Sequence, residues 1–295
     1  MIENLARGDV ELLYEAPGLF EGPLWDQTSG TLIYTDASGG GVWRIDPTTC
    51  NNECVVPHRK GIGGLAAHSE GGFIMAGKDV IWRRGEDRGV LIANDPAWGL
   101  NRFNDLTTDP AGRVYAGALD YDPEQPDRPR NPGRLFVVDL DASVRQVDDG
   151  LGVPNGIAIS PAGDLLYLAD TSARMIWVYD IDSRGDLHGR RSYGEFGDGE
   201  PDGLAVDVNG ALWVAVRSPG SLSVYAGGER VARYEVHSHP TSLCFGGSDL
   251  RDIYLTTSGG IGKDGNGVGQ VYRLRAPVAG LACAPARVLV SEKAK

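Results

Sequence analysis

The chain has 295 residues, a formal net charge of −12 and a sequence pI near 4.9. Nucleic acids and anionic membrane surfaces are held by clustered Lys and Arg, so this charge disfavours both partners. No window approaches 18 consecutive apolar residues, and the amino-terminal segment lacks the features of a signal peptide. The sequence therefore predicts a cytoplasmic protein without a membrane span.

The 42 glycines are spread along the chain and favour many short strands joined by tight turns. The four cysteines are few and unevenly placed, which predicts free thiols rather than a disulfide framework. A small loop disulfide between Cys50 and Cys54 is the alternative.

Six segments of the sequence follow one pattern. A pair of small or polar residues opens a short alternating strand, and a tight turn leads to a second alternating strand. The turns DPAG (109–112) and SPAG (160–163) place Pro and Gly at the positions whose backbone angles suit them. No long segment shows a helical period. In chain order the segments are 20–46, 61–85, 102–123, 153–180, 200–227 and 239–260.

The residue that opens each first strand recurs at intervals of 42, 41, 51, 47 and 39 residues, the length of one four-stranded propeller blade. Six copies predict an all-β fold, a six-bladed β-propeller forming a single domain over residues 1–295. The alternating segments VELLYEA (10–16) and ARVLVSE (286–292) are expected to share one blade and to close the ring, which removes exposed edges. The opening residues are Glu21, Gly63, Asn104, Asn155, Asp202 and Thr241.

The opening residues of four segments are acidic or amide side chains. Rotation about the central channel relates the blades, so Glu21, Asn104, Asn155 and Asp202 are expected to converge at one height. Asn and Asp before Gly are also ordinary turn residues. Two carboxylates and two amide oxygens in one ring suit a hard divalent cation, so the column predicts a metal site in the central channel.

The motifs EGPLW, RFNDLTTDPAGRVYAG, VPNGIAISPAG and PDGLAVDVNGALWVA resemble those of the SMP-30/gluconolactonase/luciferin-regenerating family, in the same order and over essentially the full chain. The resemblance implies a six-bladed propeller that holds one divalent cation and hydrolyses a sugar lactone. It implies Glu21, Asn155 and Asp202 as the metal ligands, with Arg102 and Asn104 facing the substrate. The expected cation is Ca²⁺, Zn²⁺, Mn²⁺, Mg²⁺ or Fe²⁺.

These residue types fit ester hydrolysis. A lactone carbonyl gains negative charge when water attacks it, and a cation with open coordination positions polarises that oxygen. Asp202 is predicted to act as the general base, and Arg102 and Asn104 to provide hydrogen bonds to the substrate. Asp105 follows Asn104 directly, and neighbours on a strand point to opposite faces. We therefore predict that Asp105 supports the strand or Arg102 and is not a ligand.

The sequence departs from the family pattern after RVYAG, where a loop rich in Pro and charge occupies residues 120–133. Such a loop can cover the mouth of the channel, so Asp120 and Tyr121 are predicted to contact the substrate. A solvated connection is the alternative.

The expected partner is a small molecule, a sugar lactone, bound by a monomer or small homo-oligomer. Two other functions stay open: a phosphotriesterase or other esterase on the same metal centre, and a non-enzymatic propeller that binds calcium or another protein. The polar column argues against the interaction module, because such a module has no need for carboxylates in its channel.

Overall fold

The computed structural model describes residues 10–120, 129–197, 199–236, 238–259 and 267–290. In these residues the strands form six antiparallel sheets of four strands each, arranged as the blades of a propeller. Five sheets run outward from the channel in chain order, and the sixth takes its outermost strand from the amino end. This architecture confirms the predicted all-β six-bladed β-propeller.

The bounds of the strands follow the repeats. The chain begins with β1 (Val10–Pro17). Blade 1 contains β2 (Phe20–Asp26), β3 (Thr31–Asp36), β4 (Val42–Ile45) and β5 (Asn52–Val56). Blade 2 contains β6 (Leu65–Ala67), β7 (Phe73–Met75), β8 (Val80–Arg84) and β9 (Asp87–Ile92). Blade 3 contains β10 (Arg102–Thr108), β11 (Val114–Leu119), β12 (Gly133–Val138) and β13 (Val144–Leu151).

The second half of the chain repeats the arrangement. Blade 4 contains β14 (Pro154–Ile159), β15 (Leu165–Asp170), β16 (Met175–Ile181) and β17 (Leu187–Glu195). Blade 5 contains β18 (Pro201–Val206), β19 (Leu212–Val216), β20 (Ser221–Ala226) and β21 (Glu229–Glu235). Blade 6 contains β22 (His239–Gly246), β23 (Asp252–Ser258), β24 (Val268–Arg275) and β1. The helical content of the described residues is one short 3₁₀ turn, Pro96–Trp98, so none of their helices is long and apolar enough to cross a membrane.

The hydrophobic core lies between the blades. Each neighbouring pair of blades shares one cluster of buried apolar side chains. Between blades 3 and 4, for example, Tyr115 and Leu135 pack with Ile157 and Leu168. A strand in the middle of a blade is covered on both faces, which explains why every residue of Leu212–Val216 is buried and why its sequence reads LWVAV.

The innermost strands approach one another closely around the channel. A Cβ added to Gly156 would lie 2.3 Å from the carbonyl oxygen of Asp202, and one added to Gly203 would lie 2.3 Å from Oγ of Ser242. No side chain fits at these two positions. The Asn-Gly and Asp-Gly pairs of the repeat therefore serve the packing of adjacent blades and not only a turn.

The ring closes through β1 and β24. Val10 pairs with Leu274 and Pro17 with Val268, so the prediction that residues 10–16 close the ring is confirmed. The predicted partner segment, 286–292, is wrong: its described part makes no strand with β1. The chain leaves blade 6 after β24, and Pro277 and Pro285 then lack the N–H donors that a central strand needs.

The carboxyl-terminal segment instead crosses the face of the propeller that carries the turns between first and second strands. Leu281 donates its N–H to the carbonyl of Val206 at 2.8 Å, and Ala286 donates to Ala67 at 2.8 Å. Arg287 donates to the carbonyl of Gly112 at 2.9 Å. The segment thereby ties blades 5, 3 and 2 together. The cysteines of the chain, Cys50 and Cys54 included, are free, as predicted.

Candidate functional site

The predicted column lies at the start of the innermost strands, where the pairing is irregular. In β2, β10, β14 and β18 the register shifts at or beside the column residue, which is Glu21, Asn104, Asn155 or Asp202. A β-bulge bends its strand and changes the direction of a side chain. The recurring bulge is the local device that directs these polar side chains to the channel rather than along a regular ladder.

Glu21 and Asp202 interact across the channel. Burial, followed by the charge of Asp202, raises the pKa of Glu21 well above its ordinary value. Burial also raises the pKa of Asp202, and Arg217 opposes this effect. Asp202 is 5% exposed. Two carboxyl groups whose pKa values are raised by burial, with the charge of Asp202 acting on Glu21, form an electrostatically incomplete arrangement that a cation would neutralise.

Asp202 has a second unusual property. Its Oδ1 atom is buried and makes no hydrogen bond within the described part of the chain. Asn155 is fixed beside it, because its Nδ2 donates to Oγ1 of Thr171 at 3.2 Å, which leaves its amide oxygen as the atom available to a ligand. Thr171 in turn donates to the carbonyl of Pro201 at 2.7 Å. The amide orientation is thus set by a chain of two hydrogen bonds between blades 4 and 5.

The three residues fit a divalent cation. A carboxylate from Glu21, a carboxylate from Asp202 and an amide oxygen from Asn155 form the oxygen-only set that hard cations prefer. The described residues contain no cluster of three or more His, Cys, Asp or Glu side chains suited to a metal. The candidate set has two carboxylates and one amide. The buried oxygen of Asp202 without a partner is the observation that favours a cation.

Arg102 and Asn104 flank this group on blade 3. Asn104 donates from Nδ2 to the carbonyl of Pro154 at 3.3 Å, and Arg102 donates from Nη2 to the carbonyl of Gly61 at 3.3 Å. The positive charge of Arg102 lowers the pKa of Glu21, so the two side chains are electrostatic neighbours. Their roles toward a substrate stay predictions.

Asp105 supports its own strand. Its Oδ1 accepts the N–H of Leu106 at 2.8 Å, and burial raises its pKa to about 7. On the far side of this layer the channel holds a cavity of about 260 Å³. Asp105 lines that cavity together with apolar side chains such as Leu24 and Ile157, whereas Glu21, Asn155 and Asp202 do not. The candidate site therefore lies at the end of the channel where the innermost strands begin.

The two loop residues predicted to contact substrate have different outcomes. Asp120 is only 4% exposed, and its Oδ2 accepts the backbone N–H of Asn131 at 3.0 Å. This hydrogen bond connects the two ends of the loop. Tyr121 lies outside the described residues, so the substrate contacts of both residues stay predictions.

Three residues near the site had no place in the sequence interpretation: Thr171, Glu200 and Arg217. The charge of Arg217 acts on both Glu21 and Asp202, and its side chain donates to Glu200. Thr171 and Arg217 directly follow the second strands of blades 4 and 5. Their position could be predicted from the sequence only if the ends of β15 and β19 were known.

The six four-stranded blades make this protein a six-bladed β-propeller with carboxyl groups at one end of its channel. Similar sequences identify the family within this class. Residues 19–259 match the SMP-30/Gluconolactonase/LRE-like region. The chain belongs to this family.

Similar proteins cover most of the chain. Pentonolactonase XacC of Haloferax volcanii is 33% identical in an alignment of 262 positions that covers 85% of this chain and 85% of its own length. The 6-deoxy-6-sulfogluconolactonase of Pseudomonas putida is 32% identical over 81% of this chain and 83% of its own length. Regucalcin of Xenopus laevis is 32% identical over 81% of this chain and 82% of its own length.

The fold comparison agrees with this. A luciferin-regenerating enzyme superimposes with a TM-score of 0.84 at 22% identity and covers 95% of this chain and 99% of its own. A regucalcin from Agrobacterium tumefaciens, described as a calcium-binding protein, superimposes with a TM-score of 0.81 at 23% identity, over 94% and 97% of the two chains. At these identities the likeness establishes the six-bladed fold.

Proposed function

We propose that this protein is a divalent-cation-dependent lactonase that opens the ester ring of a sugar lactone. The convergence of Glu21, Asn155 and Asp202, with a buried Asp202 oxygen that lacks a hydrogen bond, carries the proposal. The names of two relatives, a pentonolactonase and a 6-deoxy-6-sulfogluconolactonase, support a sugar lactone as the substrate class.

Glu21, Asn155 and Asp202 would hold the cation. A divalent cation bound there supplies Lewis acidity toward the ester carbonyl and lowers the pKa of water. Three protein ligands leave open coordination positions for substrate and water. The choice between Ca²⁺, Zn²⁺, Mn²⁺, Mg²⁺ and Fe²⁺ is part of the experiment below.

Within this site each side chain has a separate task. Asp202 accepts a proton from the water that adds to the carbonyl carbon. The bond between that carbon and the ring oxygen then breaks, the ring oxygen takes up a proton, and the product is a hydroxy acid. Arg102 and Asn104 donate hydrogen bonds to the lactone oxygens and hold the ring in position. Glu21 and Asn155 fix the geometry of the site.

The test is hydrolysis of a panel of five- and six-membered aldonolactones by chelator-treated protein, with each of the five cations restored in turn. We expect turnover that depends on one or more cations and that falls at least about 10³-fold in Asp202→Ala, because the variant loses both a ligand and the general base. Asp249→Ala is the matched control, since Asp249 is half exposed in an ion pair with Arg275 and lies in the turn between β22 and β23, at the other end of the innermost strands from the candidate site.

Two results would contradict the proposal. Equal turnover in chelator-treated and cation-restored protein would show that the cation takes no part in the reaction. Cation binding by calorimetry without turnover of any lactone would exclude a sugar lactone as the substrate. Phosphotriesters and other esters are the substrates to assay next, with the same variants.

A further inference from the structure

The repeat places Glu200 and Arg217 beside the candidate cation site. In blade 4, Thr171 donates its backbone N–H to Val153 at 3.0 Å, and in blade 5 Arg217 donates its backbone N–H to Glu200 at 2.9 Å. Arg217 therefore occupies the position in blade 5 that Thr171 occupies in blade 4. Because the side chain of Thr171 bonds the candidate ligand Asn155, the side chain of Arg217 begins at the same distance from the channel.

The same comparison relates Glu200 to Arg102. Each stands two residues before a column residue on an innermost strand, Glu200 before Asp202 and Arg102 before Asn104. Glu200 directly precedes β18 and Arg102 opens β10, whereas Asp202 and Asn104 lie further along these strands. Glu200 and Arg102 are therefore both nearer than the column to the end of the channel where the innermost strands begin.

The ion pair between Glu200 and Arg217 uses only part of the hydrogen-bonding capacity of each side chain. Arg217 donates from both Nε and Nη2 to a single oxygen, Oε2 of Glu200, at 3.1 and 2.8 Å. Nη1 of Arg217 and Oε1 of Glu200 make no hydrogen bond within the described part of the chain. The two side chains are 45% and 30% exposed, so a small solute can reach them.

A fixed donor next to a fixed acceptor matches two adjacent hydroxyl groups. One hydroxyl oxygen accepts from the guanidinium, and the neighbouring hydroxyl donates to the carboxylate. Hydrogen bonds to charged groups are stronger than those between neutral groups. An ordinary surface ion pair would offer the same groups, but it would not act electrostatically on Glu21 and Asp202 as Arg217 does.

We propose that Glu200 and Arg217 form a subsite that binds two adjacent hydroxyl groups of the substrate. The inference rests on the proposed lactonase function and deepens it by assigning the side chains that distinguish a lactone with two adjacent hydroxyl groups from its deoxy analogues. Arg217 and Glu200 are substrate-binding residues in this assignment, and Asp202 keeps the proton transfer.

The experiment compares a pentono-1,4-lactone with its 2-deoxy and 3-deoxy analogues, each of which lacks one hydroxyl of the diol. The enzymes are the wild type, Glu200→Gln, Arg217→Gln and the control Arg44→Gln, all with the activating cation. Arg44 forms a comparable exposed pair with Glu53 on the outer strands of blade 1. Cation affinity is measured by titration for every variant.

We expect the wild type and Arg44→Gln to prefer the parent lactone by about 10- to 100-fold in kcat/KM, the usual effect of a hydrogen bond to a charged group. In Glu200→Gln and Arg217→Gln this preference should fall about 10-fold for at least one deoxy analogue. At saturating cation, turnover of that analogue should change less than about 3-fold. The cation affinity of Arg217→Gln is expected to change, because the charge of Arg217 acts on Glu21 and Asp202. If Arg217→Gln does not fold, Glu200→Gln provides the same comparison.

Two results overturn the subsite. An unchanged preference in both variants means that the pair does not contact the diol. An equal loss on parent and deoxy lactones at saturating cation means that Arg217 acts only through Glu21 and Asp202. Failure of the wild type to open any lactone with any cation is a separate result, because it overturns the proposed function itself.

Discussion

Asn155 donates its side-chain amide to Oγ1 of Thr171 at 3.2 Å, so the orientation of a candidate metal ligand is set by the residue that follows the neighbouring strand β15. Thr171 passes the constraint on to blade 5 through its hydrogen bond to Pro201. Groups that hold a ligand in place in this way commonly contribute as much to a metal site as the ligands themselves.

Replacing Thr171 with Val should weaken cation binding by about 10-fold, because Asn155 loses the acceptor that fixes its amide. Thr108→Val is the matched control: Thr108 also bonds a separate segment, donating to the carbonyl of Ala284, but it ends β10 and lines the cavity on the far side of the channel. Isothermal titration of the cation into both chelator-treated variants measures the effect. Equal affinities in the two variants would contradict the assignment.

Cation binding should stabilise the fold. The carboxyl groups of Glu21 and Asp202 repel each other when both are ionised, and a cation between them removes this cost. At a cation concentration 100 times the dissociation constant the gain is about 2.7 kcal/mol, which raises the Tm by several degrees. Thermal unfolding with chelator and with cation measures it, and Asp202→Asn should abolish most of the shift. A shift of the same size in that variant would place the stabilising cation elsewhere.

The carboxyl group of Asp105 should make the stability of the folded protein depend on pH. Burial raises its pKa from 3.8 to about 7, so the folded protein binds a proton that the unfolded chain has lost. Stability should therefore fall as the pH rises from about 4 through 7, and the penalty should be complete above that pH. Asp105→Asn keeps the oxygen that accepts from Leu106 and removes the charge.

The variant should accordingly gain Tm relative to the wild type as the pH is raised from 4.5 to 8, with both proteins in chelator. Thermal unfolding at half-unit pH intervals gives the difference curve. A difference that is constant over this range would show that the carboxyl group of Asp105 keeps the same pKa in the folded and unfolded chain.

Asp207 should be important for stability rather than for activity. Its carboxylate accepts the N–H groups of Asn209 and Ala211 at 2.9 and 3.0 Å and the indole N–H of the fully buried Trp213 at 3.0 Å. Asp207→Ala leaves the buried indole N–H of Trp213 without a partner and removes the acceptor of two partly buried backbone N–H groups, so we expect a loss of about 2 to 4 kcal/mol in the free energy of unfolding.

Urea unfolding measures this loss. Asp249→Ala is the control, because its partner Arg275 is half exposed and retains Asp252. The kcat/KM of folded Asp207→Ala should match the wild type. A stability equal to that of the control variant would contradict the prediction.

The sequence predicted the parts of the fold and site that the repeat encodes. The spacing of Glu21, Asn104, Asn155 and Asp202 identified the blades, because equivalent positions in a rotationally repeated structure lie at equal heights. Residues 10–16 and 286–292 show why the last strand was assigned wrongly. Both alternate like a strand, and only the three-dimensional path shows that the second segment bonds separate blades.

The missed residues depend on details that periodicity does not carry. Glu200 precedes the first residue of β18, and Arg217 follows the last residue of β19. Their contact arises because those two strands pair from Pro201 and Val216 onward, a register that the sequence alone leaves open. In this repeat the residues just before the first strand and just after the second strand of a blade lie close to the column residues.

The pairing of β1 with β24 has a consequence for how the protein is made. Val10 pairs with Leu274, so the strands of the other five blades lie between these two partners in the sequence. During synthesis β1 leaves the ribosome before those strands and stays unpaired until β24 has followed. Until then the outer edge of the sixth sheet is unfilled.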